Sequence, residues 1–87
     1  MHITVKGDVQ GIGYRFFIQN YAGKLSLTGW VRNCSNGDVE CEVQGPEKNI
    51  KVFLSQLESG HSWARVAHIL QMPMSEKNNE ASFEITY

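Results

Sequence analysis

Residues 7–15 read Gly-Asp-Val-Gln-Gly-Ile-Gly-Tyr-Arg, and this stretch restricts the chain more than any other. An alternating apolar run precedes it and an amphipathic run at helical spacing follows, so it joins a strand to a helix. Gly7, Gly11 and Gly13 open backbone angles closed to other residues and let the chain bend tightly around a small object. A loop of this kind, ending at a helix N-terminus, directs N–H groups inward and adds the positive end of the helix dipole. Arg15 then sets a permanent cation in the first helical turn, with a planar fork matched to phosphate oxygens. The stretch therefore describes an anion cradle. It fits neither the dinucleotide fingerprint nor the P-loop, because the glycine spacing differs and no Lys-Ser/Thr follows.

The rest of the chain supplies a scaffold for that loop. Residues 2–7 alternate with Ile3 and Val5 on one face, which predicts a half-buried strand. Tyr14, Phe17, Ile18, Tyr21 and Leu25 predict a helix with a broad apolar face, interrupted by Gly23 through close packing or early fraying. Leu27 to Cys34 reads as the second strand. The hairpin can close by a two-residue Asn-Gly turn, which places Trp30 and Arg32 on the face of Val39, Cys41 and Val43, or by a three-residue loop. Patterning favours the three-residue loop with Gly37 left-handed in a bulge, which gathers Val31, Asn33, Val39, Cys41 and Val43 on one face. Trp30, Glu40 and Glu42 fall on the other. Gly45-Pro46 opens a second helix with Pro at its first position, carrying Ile50, Phe53, Leu54 and Leu57 inward and ending at Gly60. Residues 63–72 read as a strand joined to that helix by an anchoring Trp63, with Pro73 as its stop. Ser75 to Glu80 form a polar loop. Phe83, Ile85 and Tyr87 alternate in a short closing strand placed at a sheet edge.

The order β-α-β-β-α-β plus a closing strand specifies an α+β class, the ferredoxin-like split βαβ sandwich with two helices on one face of an antiparallel sheet. Crossover handedness suggests that strands one and three are central and parallel neighbours. Eighty-seven residues make one domain, 1–87. A net charge of -1 gives no general attraction to nucleic acid or an anionic membrane, so any anion site is local. No apolar run is long enough to span a bilayer, and the chain opens in a strand pattern rather than a signal peptide. A cytoplasmic monomer is expected. In the favoured register Cys34 and Cys41 point to opposite faces and do not pair. No further Cys completes a zinc set, and His2, His61 and His68 are scattered, so no metal and no cofactor is expected. An RNA-binding sheet would need basic residues around its aromatics, whereas Glu40 and Glu42 lie beside Trp30.

The nine-residue loop resembles the acylphosphatase signature, Gly-x-Val-Gln-Gly-Val-x-Phe/Tyr-Arg. A second segment, Gly29-Trp30-Val31-Arg32-Asn33 followed by Asn36-Gly37-Asp38-Val39-Glu40, is similar to that family's other signature, a strand ending in Asn before a hairpin turn. Order and separation match, and the likeness covers most of the chain. The resemblance implies the same split βαβ fold and hydrolysis of an acyl phosphate to a carboxylate and inorganic phosphate, with no metal or cofactor. Asp8 departs from the pattern by adding a negative charge beside the loop. Ile12 replaces Val conservatively. The Arg often found just before the final Tyr is absent.

Carried onto this chain, the motifs name Arg15 and Asn33 as catalytic. Val9, Gln10, Gly11, Ile12, Gly13, Tyr14 and Arg15 would bind the phosphoryl group, with inorganic phosphate or sulfate as product-like ligands. Asn33 offers an amide that both donates and accepts, able to orient a water. The cradle contains no Ser, Cys or His nucleophile, which argues for direct attack by water. A mixed carboxylic–phosphoric anhydride suits so sparse a site, since its carboxylate departs without a general acid. The alternative is a non-catalytic anion-binding or regulatory module of the same fold. That alternative would be favoured had the water-positioning residue been lost.

Overall fold

The computed structural model describes residues 1–77 and 80–87. In chain order it contains β1 (His2–Asp8), α1 (Tyr14–Lys24), β2 (Thr28–Asn33), β3 (Val39–Gln44), α2 (Glu47–Ser59), β4 (Arg65–Met72) and β5 (Phe83–Ile85). Of the polar loop expected over Ser75–Glu80, Asn78 and Asn79 lie outside the described residues. The strands form one sheet in the order β4-β1-β3-β2-β5, so the closing strand does sit at an edge.

The α+β sandwich is the one anticipated, but β1 and β3 pair antiparallel, which corrects the parallel pairing inferred from crossover handedness. The α1 crossover makes β1 and β2 run the same way. The following hairpin reverses the chain, and β3 slots between them, antiparallel to both. β5 joins β2 in parallel, so the sheet is mixed rather than wholly antiparallel.

The hairpin adopts the three-residue loop. Cys34 N–H donates to Asp38 O at 2.8 Å, and Gly37 carries the positive φ of 97° that the bulge requires. Val31 therefore faces Cys41, and Asn33 faces Val39, on the helix side of the sheet. Ile3, Val5, Val31, Val39, Cys41 and Val43 are buried there against Tyr14, Ile18 and Ala22 of α1 and Phe53 and Leu57 of α2. Spacings of four on each helix put these side chains on one stripe. The buried stripe of α1 runs through Ala22, while Phe17, Tyr21 and Leu25 pack only partly against the core. Gly23 has open space where a Cβ would be, so close packing does not explain it.

Several smaller expectations shift. Pro46 is the residue before α2 rather than its first, although its carbonyl accepts from the N–H groups of Asn49 and Ile50. Trp63 is 75% exposed and anchors nothing. The join it was expected to fill is taken by His61, whose ring stands edge-on to Tyr14 and Phe17 at 5.9 and 5.2 Å, so that histidine is not an isolated surface residue. Tyr87 lies beyond β5 and is exposed. β4 begins at Arg65 and carries a bulge where Lys6 faces His68 but Gly7 faces Val66. The extra residue lets Val66 and Ile69, three apart, both turn toward the core.

Gly29 shows how tightly β2 is seated. Its φ is 143°, and a Cβ there would overlap the Glu42 carbonyl oxygen across the ladder. Gly29→Ala should destabilise the fold by about 2 kcal/mol or more, measured as a lower urea midpoint with unchanged slope.

Candidate active site

The loop leaves β1 at Asp8, and Val9 at once turns into the core, pinning the start of the cradle. Gly11 and Gly13 then adopt left-handed φ values of 76° and 75°. Neither would meet an atom through a Cβ, so glycine is used there for its backbone angles rather than for space. Gly13 is the N-cap of α1 and, having no side chain, leaves the helix end uncapped. The first intrahelical bond runs from Phe17 N–H to Gly13 O at 3.1 Å, so the amides of Tyr14, Arg15 and Phe16 have no helical acceptor. Those residues, with Val9, Gly11, Gly13 and Asn33, wall a cavity of about 160 Å³.

Arg15 stands in the first turn, where the helix dipole opposes a cation by about 0.3–1 kcal/mol, and no acidic residue accompanies it in that turn. Among the described residues it forms no ion pair. Its guanidinium is steadied by neutral groups. Nη1 donates to Thr86 O at 3.4 Å, and the charge lies 4.9 Å from the centre of the Tyr87 ring. The charge of the guanidinium is thereby left available to a ligand.

Asn33 ends β2 half-buried, on the same side of the sheet as Val39. Val5 faces Val39 from the other side, so the β1 loop and Asn33 flank the start of β3. Gln10 closes the gap between them: its Nε2 donates to both Cys34 O and Asp38 O at 2.8 Å. Lys6 adds an ion pair to Asp38 at 2.7 Å. The cradle and the hairpin carrying Asn33 are thus tied together directly.

Of the residues named from the sequence, Val9, Gly11, Gly13, Tyr14, Arg15 and Asn33 come together around the cavity. Gln10 and Ile12 do not line it; Gln10 is the tie to the hairpin, and Ile12 packs against the core. Tyr14 contributes only backbone. Its ring is buried, its hydroxyl donates to Leu57 O at 2.5 Å, and burial pushes its pKa far above the usual value, so it stays neutral. Cys34, next to Asn33, is also kept as a thiol by partial burial and the nearby Glu40 carboxylate. Asp8 is exposed and outside the cavity wall. Sequence reasoning missed Phe16, Thr86 and Tyr87. Phe16 could have been noticed as an aromatic lying off the apolar stripe beside Arg15. Nothing in the sequence announces the contact of residues 86 and 87 with Arg15.

An uncapped helix N-terminus, an arginine with no ion pair among the described residues and an uncharged amide thus share one cavity at the rim of an α+β sandwich. The chain belongs to the acylphosphatase family, whose model matches residues 1–85, and it is accordingly a hydrolase of the acylphosphatase type. It is 44% identical over 87 residues to an acylphosphatase of Geobacillus kaustophilus, covering 100% of this chain and 93% of that one. An acylphosphatase of Clostridium beijerinckii is 47% identical over 83 residues, covering 95% and 92%. The crystal structure of acylphosphatase from Bacillus subtilis superposes with a TM-score of 0.93 at 35% identity, covering 99% of this chain and 96% of that one.

If Gln10 is the strut that couples loop to hairpin, Gln10→Ala should cost about 1–3 kcal/mol, two hydrogen bonds' worth, by urea denaturation. It should also lower kcat, because Asn33 and Arg15 lose their common frame.

Proposed function

We propose that the cavity binds the phosphoryl end of an acyl phosphate and that a water oriented by Asn33 attacks the phosphorus directly. The Arg15 guanidinium and the amides of the cavity wall, those of Tyr14, Arg15 and Phe16 among them, hold the phosphoryl oxygens. The water oxygen forms a new bond to phosphorus while the bond from phosphorus to the acyl oxygen breaks, its electron pair leaving with the carboxylate. The proton released by the water goes to a phosphate oxygen or to solvent. Because a carboxylate is a good leaving group, no general acid is required, and a loose transition state makes catalysis mostly positioning and charge stabilisation.

One observation carries this reading. Arg15 and Asn33, on different elements, share the wall of one cavity at an uncapped helix N-terminus. The walls are drawn from the loop after β1, the start of α1 and the end of β2, which suits one domain over residues 1–87. Cys34 and Cys41 are both free. Among the described residues no helix is long and apolar enough to cross a membrane.

The decisive measurement separates binding from chemistry. Asn33 brings no charge to the phosphoryl group, so its role lies in the transition state. Asn33→Ala should bind inorganic phosphate as the parent does yet lose on the order of a hundredfold in kcat on benzoyl phosphate, as when one positioned donor is removed. Arg15→Ala should lose the rise in melting temperature that phosphate produces in the parent. Near-parental kcat in Asn33→Ala would remove that residue from the mechanism. A parent that binds phosphate but turns over no acyl phosphate would leave the anion-binding module instead.

Among the described residues no three His, Cys, Asp or Glu side chains converge on a common point. Turnover should therefore survive exhaustive chelation unchanged. A loss restored by magnesium or zinc would contradict unassisted attack.

A further inference from the structure

The cradle accounts for the phosphoryl end of a substrate and leaves its acyl end unassigned. Phe16 is 66% exposed although α1 has a buried stripe available through Tyr14, Ile18 and Ala22. An exposed aromatic alone means little. This one, however, forms part of the cavity wall beside Arg15 and Asn33. The other two large apolar side chains in that wall, Val9 and Tyr14, are each 1% exposed and have no free surface to offer.

Phe16 also borders a second depression, a shallow groove along the outer face of α1 with Gln19, Asn20, Gly23 and Lys24. Phe16, Asn20 and Gly23 follow helical spacing, and the missing side chain at Gly23 leaves open space on that face. The eight residues from Phe16 to Gly23 give the groove a length of about 10 Å. A mixed anhydride with its phosphoryl group against Arg15 must direct its acyl group out of the cavity. The ring of Phe16 is the ridge between cavity and groove.

We propose that Phe16 is the specificity-determining residue for the acyl group, favouring apolar and above all aromatic acyl phosphates over short ones such as acetyl phosphate. The assignment rests on the phosphoryl group occupying the cavity as proposed above. An aryl group covers the ring and stacks on it, whereas an acetyl group is too short to bury its surface. The contact is made with the leaving group and not with phosphorus, so it exists equally in ground and transition states. It therefore acts on KM more than on kcat.

The test compares benzoyl phosphate with acetyl phosphate for the parent, Phe16→Ala and Phe16→Leu, alongside competitive inhibition by inorganic phosphate. In Phe16→Ala the ratio of kcat/KM for benzoyl over acetyl phosphate should fall roughly fivefold to tenfold, mainly through a higher KM for benzoyl phosphate. Phe16→Leu, which keeps an apolar wall, should retain part of the preference. Inhibition by phosphate should stay put. An unchanged ratio in Phe16→Ala would overturn the assignment. So would parallel weakening of both substrates and of phosphate, which would make Phe16 a support for the helix start only. A parent inactive on both substrates would overturn the reading of the site, and this assignment with it.

Discussion

The structure depends on β3 lying between β1 and β2. Val39 at the start of β3 is flanked by Val5 on one side and Asn33 on the other, all at one level of the ladder. Because β1 and β2 run the same way, their C-terminal ends open at the same rim of the sheet, about 10 Å apart at ordinary strand spacing. The loop from β1 has that width to cross before α1 begins, and Gln10 spans it by bonding the carbonyls of Cys34 and Asp38.

At that rim the chain gives up local stability. The α1 N-cap is glycine rather than Ser, Asp or Asn, the first turn has no acidic residue, and a cation sits against the helix dipole. Each choice is mildly unfavourable for folding. Together they leave amides, a positive dipole end and a guanidinium around one cavity. Where several local rules are broken at once without compensation in the fold, the reason is sought in the ligand. The C-terminal residues complete the arrangement by holding Arg15 through a carbonyl and an aromatic face instead of a carboxylate, which would have neutralised it.

The opposite face of the sheet is managed differently. Trp30 lies half-buried with its Nε1 donating to Glu42, which also receives Lys77 at 2.8 Å. The hydrogen bond from Lys77 is the main reason the Glu42 carboxyl titrates below its usual range, ahead of the bond from Trp30. Glu40 is shared by His2 and Arg32. Single surface pairs of this kind contribute little. Their combined effect is to shield the apolar ring of Trp30 behind paired charges of both signs.

Periodicity alone determined much of this molecule. Ile3 and Val5, Val31, Val39 with Cys41 and Val43, and Phe53 with Leu57 could be assigned to the core from spacing. The hairpin register followed from patterning, because a one-residue slip would have buried Trp30 and Arg32 instead. Arg15 and Asn33 were legible from the two motifs. What tertiary structure decided was everything set by approach between distant segments. The direction of β1 relative to β3 depends on which strand is inserted between which. His61 displaced Trp63 from the helix–strand join through ring packing on Tyr14 and Phe17. Gln10 became a tie rather than a cavity wall, and Thr86 and Tyr87 reached Arg15 only because β5 runs parallel to β2 at the sheet edge. Local sequence encodes which face of an element is apolar, since side-chain direction repeats with the backbone. It does not encode which polar side chain meets which carbonyl across the fold, since those bonds depend on distances set by the packing of the whole chain.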